Sequence, residues 1–248
     1  LRYFIQLSFS GTAYHGWQLQ ENAVSVQAVL NDALGILLKH EINTTGCGRT
    51  DTGVHAKKFF AHFDSDLSLE TLNDYVHQLN CILPPDIAVR GFIPVAAGAH
   101  ARFDARSRTY EYSIHQYKDP FRLGYSWYFP QSLDIDLMNE MASLLPAYND
   151  FSCFSKSGSG NPTHNCTVTF AGWTENEGRL FFRITANRFL RNMVRAIVGT
   201  LIEGGKNNLG IDDFKSILES KNRSEAGPSV PAHGLSLTDV VYPYIKND

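Results

Sequence analysis

The sequence predicts an α+β protein of mostly antiparallel sheets flanked by helices, organised in two halves. Three observations carry that prediction. In the opening stretch Tyr3, Ile5, Leu7 and Phe9 alternate with Arg2, Phe4, Gln6 and Ser8, and a period of two marks a strand. Ser25, Ser68 and Asp134 each head a run whose apolar residues recur at helical spacing, where a hydroxyl or carboxylate can cap a helix. "CTVTFAGW" and "RLFFRITAN" are strand-like runs joined by "TENEG", the pattern of a hairpin. Long strands with interspersed helices belong to the α+β class.

The elements follow in order. After the first strand, "GTAYHGWQLQ" reads as a loop punctuated by glycine. Ser25 then caps a helix carrying Val26, Val29, Leu30, Ala33, Leu34, Leu37 and Leu38. A turn over 46–53 precedes a strand in "KKFFAHFDS". Ser68 opens a second helix with Leu69, Leu72, Val76 and Leu79 on one face, and Pro84 and Pro85 stop it. "DIAVRGFIPV" is another strand. A boundary is expected near Phe103, with one lobe over 1–103 and the other over 104–248. In the second lobe Tyr110, Tyr112 and Ile114 share one face of a strand. "YSWYF" reads as a strand, and Asp134 caps a helix with Leu137, Met138, Met141, Leu144 and Leu145. The loop "SKSGSGNPTHN", 155–165, is expected to be mobile or to face substrate. A long helix over 189–203 is expected to end on Gly204 and Gly205 as a C-terminal cap. A short helix around 211–218 and a strand in "GLSLTDVVY" complete the chain.

A chain of 248 residues can bury a sizeable core as one large domain or two small ones. With 43% hydrophobic and 19% charged residues it has an ordinary globular composition. No apolar run reaches the ~18–20 residues of a membrane-spanning helix. The first residues lack the apolar run and small-residue cleavage site of a signal peptide. Cys47, Cys81, Cys153 and Cys166 form no C-x-x-C pair, so they are read as reduced cytosolic thiols rather than zinc ligands. Cys47 lies near Asp51, but a lone cysteine of this kind reads as a small buried side chain. The net charge of −3 argues against a nucleic-acid binder unless the basic residues are concentrated locally.

The stretch "GCGRTDTGVHA" holds one carboxylate, Asp51, between Arg49 and Gly53. A plain turn explains it: Thr50 and Asp51 can hydrogen-bond their own backbone and Gly53 can complete the turn. A chemical role explains it too. A guanidinium within about 4–6 Å would hold the carboxylate ionised, leaving it a nucleophile or an electrostatic stabiliser rather than a general acid. The D-T-G triplet also suggests an aspartic protease. That chemistry needs two aspartates sharing a proton, and the chain has a single such triplet preceded by Gly-Arg-Thr instead of an apolar strand.

Two groups of arginines stand out. Arg188, Arg191 and Arg195 follow i, i+3, i+7 spacing, which places them on one face of the expected helix as a solvated stripe or as a site for an anion such as phosphate. Arg102, Arg106 and Arg108 precede an aromatic strand, as in an edge strand guarded by charge or in a platform on which bases stack. His55, His62 and His164 are too dispersed for a metal site, and each reads as a hydrogen-bonded structural residue. No Gly-rich strand-to-helix turn cradles a phosphate, so neither a metal nor a cofactor is expected.

With these residues in view, "GRTDTGVHA" resembles the catalytic motif of the tRNA pseudouridine synthase A (TruA) family. "GTAYHGWQLQ", "DIAVRGF", "HARFDARSRTYEY", "ANRFLRNMVRAIVGTLIEGG" and "EAGPSVPAHGLSL" resemble further family segments in the same order. Ser10 stands where the family usually has Asp, and His233 occupies a variable position. The resemblance implies the pseudouridine-synthase fold, with two lobes around a central cleft, and a cofactor-free isomerisation of uridine in the anticodon stem-loop of tRNA. It implies that Asp51 is the essential carboxylate, that Tyr110 packs on the target base and helps remove the C5 proton, and that Arg195 pairs with the aspartate. It places Arg49 where the flipped nucleotide leaves space; Arg106, Arg108, Arg188 and Arg191 are then expected to hold RNA phosphates, because one aromatic platform does not cover the cost of extruding a base. It further implies a homodimer with tRNA as partner, while the cysteines and the lack of a spanning apolar run lead us to expect a cytoplasmic protein with no membrane association. A same-family enzyme with another RNA target, or a catalytically silent tRNA-binding protein, are the alternatives.

Overall fold

Phe4 is as deeply buried as Ile5 and Leu7, so the opening strand is covered on both faces. This strand, β1 (Arg2–Phe9), is central to the first of two compact units in the computed structural model, which describes residues 1–156, 158, 160 and 163–245. The units are Leu1–Arg106 with Ser236–Asp248, and Ser107–Leu235.

In the first unit β2 (Thr45–Gly46) and β1 both pair antiparallel with β3 (His55–Asp64), and β1 also pairs antiparallel with β4 (Ile87–Val95). Ile5 lies opposite Ala61 on one side and Phe92 on the other. Both helices start where the sequence says. The Ser25 hydroxyl accepts from the Ala28 N–H ahead of α1 (Val26–Leu38), and the Ser68 hydroxyl from the Thr71 N–H ahead of α2 (Leu69–Ile82), each at 3.3 Å. The second helix ends at Leu83, whose extended backbone (φ −67°, ψ 146°) is what a residue before proline adopts. Asn80 ties α2 to β4 by a pair of 2.8 Å bonds to the Val89 backbone.

The second unit holds β5 (Ser107–His115), β6 (Trp127–Tyr128), β7 (Val168–Asn176) and β8 (Arg179–Ala186), ordered β6-β5-β8-β7. The β5–β8 and β7–β8 pairs are antiparallel, and the short β6 runs parallel to β5. The expected hairpin is present. Its two turn residues, Glu177 and Gly178, have φ of 51° and 67°, which a two-residue turn needs if its twist is to match the strands. Asp134 accepts from the Leu137 N–H at 3.0 Å and caps α3 (Ile135–Leu144). Two further helices are α4 (Met193–Gly205) and α5 (Ile211–Ser220). The last strand, β9 (Leu235–Val241), runs parallel to β3 through His55–Ser236 and Ala56–Leu237, and Lys58 meets Asp239 at 2.8 Å.

Three expectations change. The long helix begins at Met193 rather than near residue 189, because Asn192 sits in the left-handed region at φ 66°. Arg188 and Arg191 therefore lie before the helix, and the three arginines form no single helical stripe. Gly204 and Gly205 belong to the last turn of α4, and neither is a left-handed cap. They admit the thioethers of Met141 and Met138 from α3, which an added Cβ would strike. "YSWYF" contributes only Trp127 and Tyr128 to a strand. Of the loop 155–165, residues 157, 159, 161 and 162 lie outside the described residues.

Candidate active-site residues

In the first unit the turn that carries Asp51 is built almost wholly from backbone. Cys47 is fully buried, and its N–H donates to the Phe60 carbonyl at 2.7 Å. The Asp51 carbonyl accepts from the Val54 N–H at 3.1 Å across a turn whose third residue, Gly53, has φ +78°. A non-glycine residue there would be strained. The Gly53 N–H donates to the Tyr14 carbonyl at 3.2 Å, and His55 accepts the Gly11 N–H on Nδ1 at 3.0 Å. Tyr14 is anchored by its hydroxyl, which donates to Asp86 at 2.6 Å. Burial, then the Asp86 carboxylate, push the Tyr14 phenol well above its ordinary value, so it stays a donor. Trp17 lies 4.2 Å from the Phe59 ring and closes over Gly46, where a Cβ would strike the indole. The loop 10–17 thereby clamps the turn and holds the half-buried Asp51 on a fixed backbone.

Two details differ from the sequence reading. Arg49 is exposed and forms no direct ion pair with Asp51 among the described residues. Thr50 turns inward, and its buried hydroxyl has no hydrogen-bond partner among the described residues, so it does not cap the turn. His55 and His62 are structural, each buried and accepting a backbone N–H.

In the second unit Tyr110 lies at the middle of β5, opposite Ile184. Its half-buried ring meets the Phe189 ring edge-on, at 5.1 Å and 89°. On the neighbouring residues of β5, Arg108 donates to the Asn187 carbonyl at 2.8 Å and Thr109 bonds Thr185 at 2.9 Å. Arg188 is half-buried beside Cys166, whose thiol burial pushes up to about 11 although the guanidinium acts in the other direction. Arg191 is exposed, and its carbonyl accepts the Lys156 N–H at 3.1 Å. Arg106 closes the first unit; it is exposed, and its backbone N–H donates to the Val241 carbonyl at 2.8 Å.

Arg195, on the first turn of α4, is bound to Val230 twice. Its Nε donates to the Val230 carbonyl at 2.7 Å, and the Val230 N–H returns to the Arg195 carbonyl at 3.2 Å. Sequence reasoning missed what holds Val230. Arg223 donates to the carbonyls of Ala226 and Gly227 and to the Ser229 hydroxyl, and no periodicity or motif marks it. Among the described residues no cluster of three or more His, Cys, Asp or Glu is placed to hold a metal. An open depression of about 730 Å³ beside α1, lined by Leu19, Asn31, Ile36 and His40 among others, contains none of the candidate residues.

Comparison with known proteins gives these residues a context. A family model described as tRNA pseudouridine synthase matches residues 142–243. The chain is 48% identical to the tRNA pseudouridine synthase A of Parabacteroides distasonis over 98% of its own length and 96% of that protein. It is 48% identical to the protein of that name from Porphyromonas gingivalis, over 98% and 97% of the two chains. A more distant relative, the tRNA pseudouridine synthase A of Exiguobacterium sibiricum, is 36% identical over 99% and 98%.

Proposed function

The chain belongs to the tRNA pseudouridine synthase A family, and from that premise we propose that it converts uridine to pseudouridine in the anticodon stem-loop of tRNA, with Asp51 as the essential carboxylate. The reaction breaks the N1–C1′ bond, turns the base, and joins C5 to C1′. The proton lost from C5 is balanced by one gained at N1, so neither an oxidant nor a cofactor enters. The observation that carries the reading is end-to-end similarity to proteins named for this activity, together with a backbone clamp around the one turn that bears Asp51.

Asp51 attacks the sugar or the base of the target nucleoside, or removes a proton from its sugar. Tyr110 stacks on the target base and assists loss of the C5 proton, and Arg195 supplies positive charge to the same step. Taking a base out of its stack costs a few kcal/mol, and one aromatic platform returns roughly 1–3 kcal/mol. Tyr110 alone therefore does not cover extrusion and immobilisation. Arg106, Arg108, Arg188 and Arg191 make up the difference on phosphates, and Arg49 occupies the space the base leaves. Phosphate contacts from these side chains reconcile RNA binding with a net charge of −3. The same reading has the enzyme act as a cytoplasmic homodimer, which its mass in solution would check.

The test is Asp51→Ala. Tritium release from C5-labelled tRNA should vanish while tRNA affinity stays close to the parent's. Appreciable turnover by this variant would remove Asp51 from the chemistry.

A further inference from the structure

We infer that Arg223 is a positioning residue for Arg195, acting through the backbone of the 226–230 segment. The inference rests on the role given to Arg195 above. Arg223 is half-buried, and its guanidinium forms no ion pair among the described residues. It is committed to neutral acceptors in one loop: Nη1 donates to the Ala226 and Gly227 carbonyls, both at 3.2 Å, and Nη2 to the Ser229 hydroxyl at 3.1 Å. A planar fork can gather three such acceptors at once, whereas an ammonium cannot match that geometry.

The gathered segment is fastened along the start of α4. The Ser229 hydroxyl also accepts from Asn192 Nδ2 at 2.6 Å, and Asn192 is the left-handed residue from which the helix departs. The Gly227 N–H donates to the Thr200 hydroxyl at 2.9 Å, and that hydroxyl donates in turn to the Ala196 carbonyl at 2.9 Å. Gly199 lets the Pro228 carbonyl approach so closely that a Cβ would overlap it. The segment ends at Val230, which exchanges two hydrogen bonds with Arg195. The Nε bond to the Val230 carbonyl ties the Arg195 guanidinium to the place where that carbonyl lies. Arg223 fixes the loop that places it. A shift of about 1 Å in a catalytic group can cost ~10²-fold in rate, so a remote tether of this kind has kinetic consequences.

The experiment is a double-mutant cycle on the full-length protein, read as single-turnover pseudouridine formation at saturating tRNA, with tRNA affinity and thermal unfolding measured alongside. Arg223→Ala should slow the single-turnover rate by ~10–100-fold and leave affinity within about twofold. Arg223→Lys should remain slow. Arg195→Lys should lose at least as much rate, and the double variant should be no slower than Arg195→Lys alone, as expected of two residues acting as one unit. A rate for Arg223→Ala within about twofold of the parent, even with a lower melting temperature, overturns the inference. So do losses that multiply in the double variant. If Arg223→Ala does not fold, Ser229→Ala removes one of the three acceptors and replaces it in the cycle, with the same two outcomes deciding. Parent-rate turnover by Arg195→Lys overturns the reading of Arg195 and the inference with it. Loss at Arg195 with none at Arg223 overturns the inference alone.

Discussion

Gly16 and Thr50 meet backbone to backbone: Gly16 has φ +86°, and a Cβ added there would overlap the Thr50 carbonyl. Gly11 makes the same approach to the carbonyl of Val54. The clamp around Asp51 is therefore a contact between two main chains with no side chain between them. Gly16→Ala must both open that contact and hold a left-handed backbone, at a cost of about 1–3 kcal/mol. A lower melting temperature is expected, with a fall in single-turnover rate larger than the fall in tRNA affinity. Parent-like stability and rate would show that the turn tolerates a looser clamp.

Tyr110→Phe keeps the edge-on contact with Phe189 and loses only the hydroxyl. Affinity for tRNA should be nearly unchanged while the single-turnover rate falls. Tyr110→Ala should in addition weaken binding by the ~1–3 kcal/mol of a lost stacking platform. Equal rates for the Phe variant and the parent would confine Tyr110 to packing.

Arg191 is exposed and precedes the helix instead of lining it. Assigned to a phosphate, it contributes through counterion release and not through sequence. Arg191→Ala should weaken binding about equally across tRNAs and reduce the slope of log affinity against log salt by about 1. Filter binding from low to high salt measures this, and an unchanged slope would take Arg191 off the RNA.

His62 sets part of the acid stability of the first unit. It is buried against Phe4 and His100 and accepts the Ala101 N–H at 3.1 Å. Burial, followed by the positive neighbours His100 and Arg2, lowers its pKa to about 4, against the pull of Asp64 and Asp104. The unfolded chain takes up this proton near 6.5 and the folded chain only near 4. The stabilisation is therefore present above the unfolded value and is lost as pH falls toward 4. His62→Asn keeps an acceptor for Ala101 and removes the proton site. Urea midpoints measured between pH 7 and pH 4 should fall less steeply in the variant. A slope equal to the parent's would mean that His62 is not the group that titrates.

What the sequence by itself determined is local. Ser25, Ser68 and Asp134 sit where their oxygens can reach an N–H three residues on, and each caps its helix. Pro84 stops α2 through its steric demand on Leu83, and the β7–β8 turn forms where Glu177 and Gly178 can take positive φ. Each of these is a relation between residues a few positions apart, which spacing encodes. The family was equally open to reading, because its segments stand in order along the chain. Tertiary structure decided the rest. Asn192 breaks a helix that periodicity would have begun earlier, and Gly204 and Gly205 serve the packing of two methionines rather than a helix end. Ser236–Asp248 cluster with the first unit because β9 finds β3. Arg49 stands next but one to Asp51 and yet leaves it for solvent, while Arg223 reaches Arg195 through a loop. Which distant atoms meet depends on how close two backbones come, and neither a residue's type nor its spacing carries that distance.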